Sequence, residues 1–187
     1  GDAGTWGAGG ADPAGAVVAE RGPAVHAAAS FLKDGKIVAI QSLGGFHLAC
    51  DARRKDVVET LRARKRRPRK PLAVMVRSID AARRWARISA MSAELLASPA
   101  APIVMAPSSA PELAWLAPGL DRIGIVLAYT PLHAALFREL ADSGGPEILV
   151  MTSGNPPGEP ICRDPEKAMR NLAGIADGFL SHDRPIH

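Results

Sequence analysis

Cysteine is nearly absent from this 187-residue chain, at two residues, Cys50 and Cys162. That excludes a disulfide-dense secreted scaffold and suits a reducing cytoplasm. Long apolar runs are absent as well. The longest, such as Ile125–Tyr129 and Ile148–Met151, are strand-sized, so no segment spans a membrane. No basic start followed by an apolar stretch marks a signal peptide. Charge is not extreme, since 23 basic residues against 19 acidic leave a net of +4, which excludes a disordered polyelectrolyte. Aromatics number eight against 34 alanines. No GxxxxGK[ST] run, no G-x-S-x-G elbow and no zinc-type Cys/His spacing occurs. What remains is a globular, intracellular chain of one-domain length, with 47% hydrophobic residues.

Residues 1–23 carry seven glycines and no period, and read as a linker ahead of a domain over 24–187. From there helix-like and strand-like segments alternate. Val25, Ala28, Phe31 and Leu32 share a helical face that stops near Gly35. Strands are expected at Lys36–Gln41 and Phe46–Cys50, joined by the turn Gly44-Gly45. Asp51 is placed to cap a helix whose apolar face is Val57, Val58 and Leu61. Further strands are expected at Pro71–Val76, Pro102–Met105, Gly124–Ala128, Glu147–Met151 and Ala176–Leu180. Short helical patterns fill 79–98. Thr130-Pro131 and Asp164-Pro165 open later helices, the first with the stripe Leu132, Ala135, Leu136 and Leu140. The pattern predicts an α/β (mixed α+β) fold, an open twisted mixed sheet flanked by helices.

Three features carry chemistry. In residues 62–70 seven of nine side chains are basic, and Pro68 ends the helix there. Fixed cations at a helix-to-strand joint suit an anion with several phosphates, with Arg as a fork and Lys as a point charge. A solvated helix end or a nucleic-acid footprint would look the same. The run lacks an aromatic on which a base would stack. Thr152-Ser153-Gly154-Asn155 follows a strand, where α/β sheets bind ligands, and offers two hydroxyls, an amide and a close-approach glycine; an ordinary turn has the same composition. Gly44-Gly45-Phe46-His47 either makes room for a flat ligand or forms a turn, so Gly45 and His47 are candidate pocket residues. The other histidines, His26, His133, His182 and His187, are scattered.

The segments LGGFHLACDA (43–52), LRARKRRPRKPLAVMV (61–76), YTPLH (129–133), LVMTSGNPPGEPI (149–161) and GIADGFLSHDRPI (174–186) resemble, in collinear order, the YrdC-like domain of HypF carbamoyltransferases. In that superfamily a K-x-R pair and an S-x-N pair line a nucleotide site. The resemblance implies that Lys65 and Arg67 act on the phosphates, and that Ser153 and Asn155, with Thr152 in support, fix them. It implies an ATP-dependent, Mg²⁺-assisted adenylation. Carbamate, derived from carbamoyl phosphate, would become carbamoyl-adenylate, and the carbamoyl group would pass to HypE in [NiFe] hydrogenase maturation. It further implies other HypF domains in cis, while no carboxylate pair in the sequence identifies a metal site.

The chain departs from that pattern in places. Gln41-Ser42 stands where relatives usually carry Lys-Gly, and Pro156-Pro157 follows the TSGN run. A continuation resembling Asp-Asp-Ser-Val is absent after His187, which reads as a cut through a longer protein. Three other readings stay in play. A threonylcarbamoyl-adenylate synthase would carry a Pro-Thr-Glu-Thr-like segment near Gln41–Gly44. An antibiotic O-carbamoyltransferase shares the domain, and an RNA-binding module would use residues 62–70.

Overall fold

Strand alternation sorts the apolar residues into two layers. The computed structural model describes residues 4–6, 21–156 and 158–181. Its elements run β1 (Gly4–Trp6), α1 (Arg21–Lys33), β2 (Val38–Ser42), β3 (Gly45–Asp51), α2 (Lys55–Lys65), β4 (Ala73–Val76), α3 (Ile79–Arg83) and α4 (Ala90–Leu96). There follow β5 (Val104–Pro107), a 3-10 segment (Pro111–Leu116), β6 (Arg122–Leu127), α5 (Pro131–Asp142), β7 (Ile148–Ser153), α6 (Pro165–Leu172) and β8 (Gly178–Leu180). The strands form one sheet in the order β1-β8-β2-β3-β7-β4-β6-β5. Pairings are parallel for β1–β8, β8–β2 and β4–β6 and antiparallel elsewhere, so the sheet is mixed.

On one face Phe46, Leu48, Cys50, Val74, Val76, Ile148 and Val150 pack with Val57, Val58 and Leu61 of α2 and Leu172 of α6. On the other, Ala49, Met75, Leu149 and Met151 meet Ala28 and Leu32 of α1 and Leu136, Phe137 and Leu140 of α5. Covered on both sides, the central strands are continuous apolar runs rather than alternating ones. Local signals fix the helix starts. Thr130 Oγ1 accepts the His133 N–H at 3.1 Å, and Asp164 Oδ1 accepts the Lys167 N–H at 2.7 Å, with Pro next in each case.

Several expectations need revision. Asp51 does not cap α2. Its carboxylate, at the buried end of β3, accepts the backbone N–H and guanidinium of Arg53, and Arg54 takes the cap position without a side-chain capping bond. Thr152 and Ser153 belong to β7 rather than to the loop after it, because their partners Leu48 and His47 extend the ladder that far. The expected strand at Pro102–Met105 lies two residues later, as β5. Within the stretch read as a linker, Gly4–Trp6 forms an edge strand; three residues are too few to show a period, and backbone pairing with β8 needs none. The segment after Leu180 that matched the family lies mostly outside the described residues, as do His182, His187 and the end of the chain. Both cysteines are free and buried. Among the described residues, no helix is long and apolar enough to cross a membrane.

Candidate functional site

The site forms where β3, β7 and α2 meet. The β3–β7 register sets His47 opposite Ser153. Just beyond, the Gly154 N–H donates to the Phe46 carbonyl at 2.7 Å, and the Cys162 N–H returns to Gly154 O at 3.0 Å. A Cβ on Gly154 would stand 2.5 Å from Phe46 O, and one on Gly45 2.6 Å from Cys162 O. Both glycines therefore bring backbone against backbone, and the space beside Gly45 is filled by the 161–162 segment rather than left for a ligand.

Lys65 is the last residue of α2 and is buried at 6% exposure. Its Nζ donates to Ser153 O at 2.5 Å, to Asn155 O at 3.0 Å, to Asn155 Oδ1 at 2.9 Å and, more weakly, to Ser153 Oγ at 3.4 Å. The Ser153 hydroxyl donates to Asn155 Oδ1 at 2.7 Å, and Asn155 Nδ2 donates to Glu159 O at 2.6 Å. Three of the five expected phosphate residues thus form one network. None of its oxygens is a carboxylate, so burial, and then the charge of Arg67, lowers the Lys65 pKa to about 8. The ammonium stays charged near neutral pH and has no anion among these partners.

Arg66 closes the helix in the left-handed conformation, φ 51°, while the Arg67 N–H donates to Arg62 O at 2.9 Å. Arg67 is half-buried beside Lys65. Its Nη2 donates to Pro71 O at 3.2 Å, and its Nε is buried without a partner among the described residues. It is brought near the network without being bonded into it. Thr152, one residue along the pleat from Ser153, faces the opposite side of β7 and is not brought into the network.

The remaining basic residues are not equivalent. Arg62 is buried and donates to the carbonyls of Arg67, Lys70, Trp115 and Leu116 at 2.7–3.1 Å, tying the joint to the 3-10 segment. Arg64 bonds Ile175 O and Asp177 at the surface. Half-buried His47 accompanies Ser153 on its face. Its Nδ1 lies 2.7 Å from Ser42 Oγ, and its pKa is held below the ordinary histidine range, chiefly by burial. His133, in the first turn of α5, meets Tyr129 edge-on at 4.9 Å. Burial, then the neighbouring His47, lowers its pKa to about 4. Sequence reasoning missed Ser42, Arg62 and His133. Only His133 carried a local signal, as a polar residue in the first turn behind a Thr-Pro cap.

A family model for Sua5, YciO and YrdC, described as telomere recombination, matches residues 30–187. The chain belongs to that family. It is 50% identical over 167 residues to the carbamoyltransferase HypF of Rhodobacter capsulatus, covering 88% of this chain and 22% of that protein. It thus spans about a fifth of the length of that relative. A crystal structure of full-length HypF in a phosphate- and nucleotide-bound form superimposes with a TM-score of 0.81 at 42% identity, over 87% of this chain and 25% of that one. Threonylcarbamoyl-AMP synthase of Xanthomonas campestris is 30% identical, over 83% of this chain and 86% of its own length. The likeness to the YrdC-like region of HypF and the mixed sheet flanked by helices agree with what the motifs implied.

Proposed function

We propose that this chain is the ATP-dependent carbamoyl-adenylating domain of a HypF-type carbamoyltransferase. The observation that carries the reading is the convergence of Lys65, Ser153 and Asn155 in one network, in a chain half identical to a HypF. A carbamate oxygen attacks the α-phosphorus of ATP, the new P–O bond forms, and the bond to the β,γ-diphosphate breaks to release pyrophosphate. Such a reaction depends on positioning and on charge stabilisation. Lys65 and Arg67 neutralise charge building on the leaving diphosphate. The Ser153 hydroxyl and the Asn155 amide, which now hold Lys65, turn to phosphate oxygens. Among the described residues no group of three His, Cys, Asp or Glu side chains could hold a metal alone. Mg²⁺ then fits as part of the MgATP substrate, carried by its phosphates. In this reading carbamate comes from carbamoyl phosphate, further HypF domains act in cis in the cytoplasm, and the final acceptor is HypE.

The test is ATP–pyrophosphate exchange driven by ammonium carbamate or carbamoyl phosphate, with threonine plus bicarbonate as the rival substrate pair. Carbamate-dependent exchange that falls at least a hundredfold in Lys65→Ala and Ser153→Ala is expected. Exchange driven only by threonine plus bicarbonate would move the chain to the synthase branch. No nucleotide binding, with tight salt-dependent RNA binding, would replace the reading by the nucleic-acid one.

A further inference from the structure

His133 is 1% exposed, and neither Nδ1 nor Nε2 has a hydrogen-bond partner among the described residues. Buried polar atoms almost always find partners, so two idle nitrogens on one ring call for a reason. The ring stands beside the site. His47 lies across the ladder from Ser153, and His133 is within electrostatic reach of His47. Its position is fixed, because Thr130 holds the His133 backbone N–H and Tyr129 packs edge-on against the imidazole.

The geometry points to His133 as a specificity-determining residue that binds the NH₂ and carbonyl groups of carbamate while Lys65 and Arg67 hold the phosphates of ATP. This rests on the adenylation reading and adds which residue selects the acyl group. A carbamoyl group offers a carbonyl acceptor and an NH₂ donor. A neutral imidazole offers one donor and one acceptor, so either tautomer finds a match. With its pKa lowered to about 4, the ring is neutral at physiological pH and keeps the acceptor that an imidazolium would lack. Acetate has the shape of carbamate with CH₃ in place of NH₂, and it cannot donate. A site built on hydrogen bonds rejects such an analogue far more strongly than an apolar pocket would.

The test uses the full chain and three measurements. His133→Phe should leave the ATP dissociation constant within twofold by calorimetry and should not lower the unfolding temperature. It should raise the KM for ammonium carbamate in the exchange assay at least tenfold and narrow the preference for carbamate over acetate. His133→Gln, which retains one donor and one acceptor, should recover part of the loss. In the unmodified chain labelled with ¹⁵N-histidine, carbamate added to the ATP complex should shift the His133 ring signals. An unchanged KM in a folded His133→Phe, or unmoved ring signals with ATP bound, would overturn the inference; the ring signals alone decide it if that variant does not fold. If the unmodified chain binds no ATP, the adenylation reading itself fails and takes this inference with it.

Discussion

At the basic end of the site, Arg62 and Lys65 are buried cations with four hydrogen bonds apiece. At the start of α5 the His133 side chain is buried more deeply still and, among the described residues, makes none. The cations are held by neutral carbonyl, hydroxyl and amide oxygens, which position a charge without neutralising it. The imidazole is uncharged and its hydrogen-bonding capacity is unused. In the proposed reading the first end takes the phosphates of ATP and the second takes the NH₂ and carbonyl groups of carbamate.

The basic end contains a second contrast, between Arg62 and Lys65, and removing Arg62 breaks it most severely. Arg62→Ala takes the donor from four carbonyls that join the end of α2, the segment through Lys70, and the 3-10 segment. Leaving such groups without a partner costs on the order of 3 kcal/mol. Urea unfolding should show that loss, and nucleotide affinity should fall because Arg67 loses its anchored backbone, although Arg62 touches no phosphate. Lys65→Met should do the reverse, abolishing nucleotide binding with little loss of stability. If both variants lose stability alike, the division of the run into a structural and a functional cation is wrong.

That division was not legible in the sequence, where the seven basic residues look alike. The partners that separate them are distant in the chain: Trp115 and Leu116 for Arg62, Ser153 and Asn155 for Lys65. The features that were legible have local causes. Thr130-Pro131 and Asp164-Pro165 cap helices through the next three residues, and the apolar strands declare themselves by composition. Asp51 misled because its carboxylate is claimed by Arg53, an alternative that cap rules do not weigh. Gly44-Gly45 left ligand room and a turn open in the sequence, and the space beside Gly45 is taken by Ile161 and Cys162, which lie more than a hundred residues along the chain.

A pH titration sharpens the Lys65 side of the comparison. The folded pKa of about 8 lies below the ordinary lysine value of 10.5, so between those values the folded state binds fewer protons than the unfolded one. Stability contributed through this group should therefore rise as pH climbs from about 8 to 10.5, by on the order of 3 kcal/mol. Nucleotide affinity should fall across the same window as the ammonium is lost. Denaturation and calorimetry at matched pH values would check the two opposite slopes, and Lys65→Met should flatten both. Parallel slopes would mean that the charge of Lys65 does not bind phosphate.

The smallest expected effect concerns Ser42, in the β2–β3 hairpin. Its hydroxyl donates to Gly45 O at 2.9 Å and lies 2.7 Å from His47 Nδ1. A hydroxyl has one proton; where Gly45 O receives it, His47 carries its own proton on Nδ1 and presents Nε2 as an acceptor. Ser42→Ala removes the group that fixes this tautomer. Stability should drop by about 1 kcal/mol, the net worth of one such bond. The ¹⁵N signals of His47 should move from a pure Nδ1–H pattern toward a mixture, while those of His133 stay put. A His47 pattern unchanged by the substitution would show that the tautomer is set elsewhere. The Ser42 hydroxyl would then be a structural link of the β2–β3 hairpin, with no hold on the site.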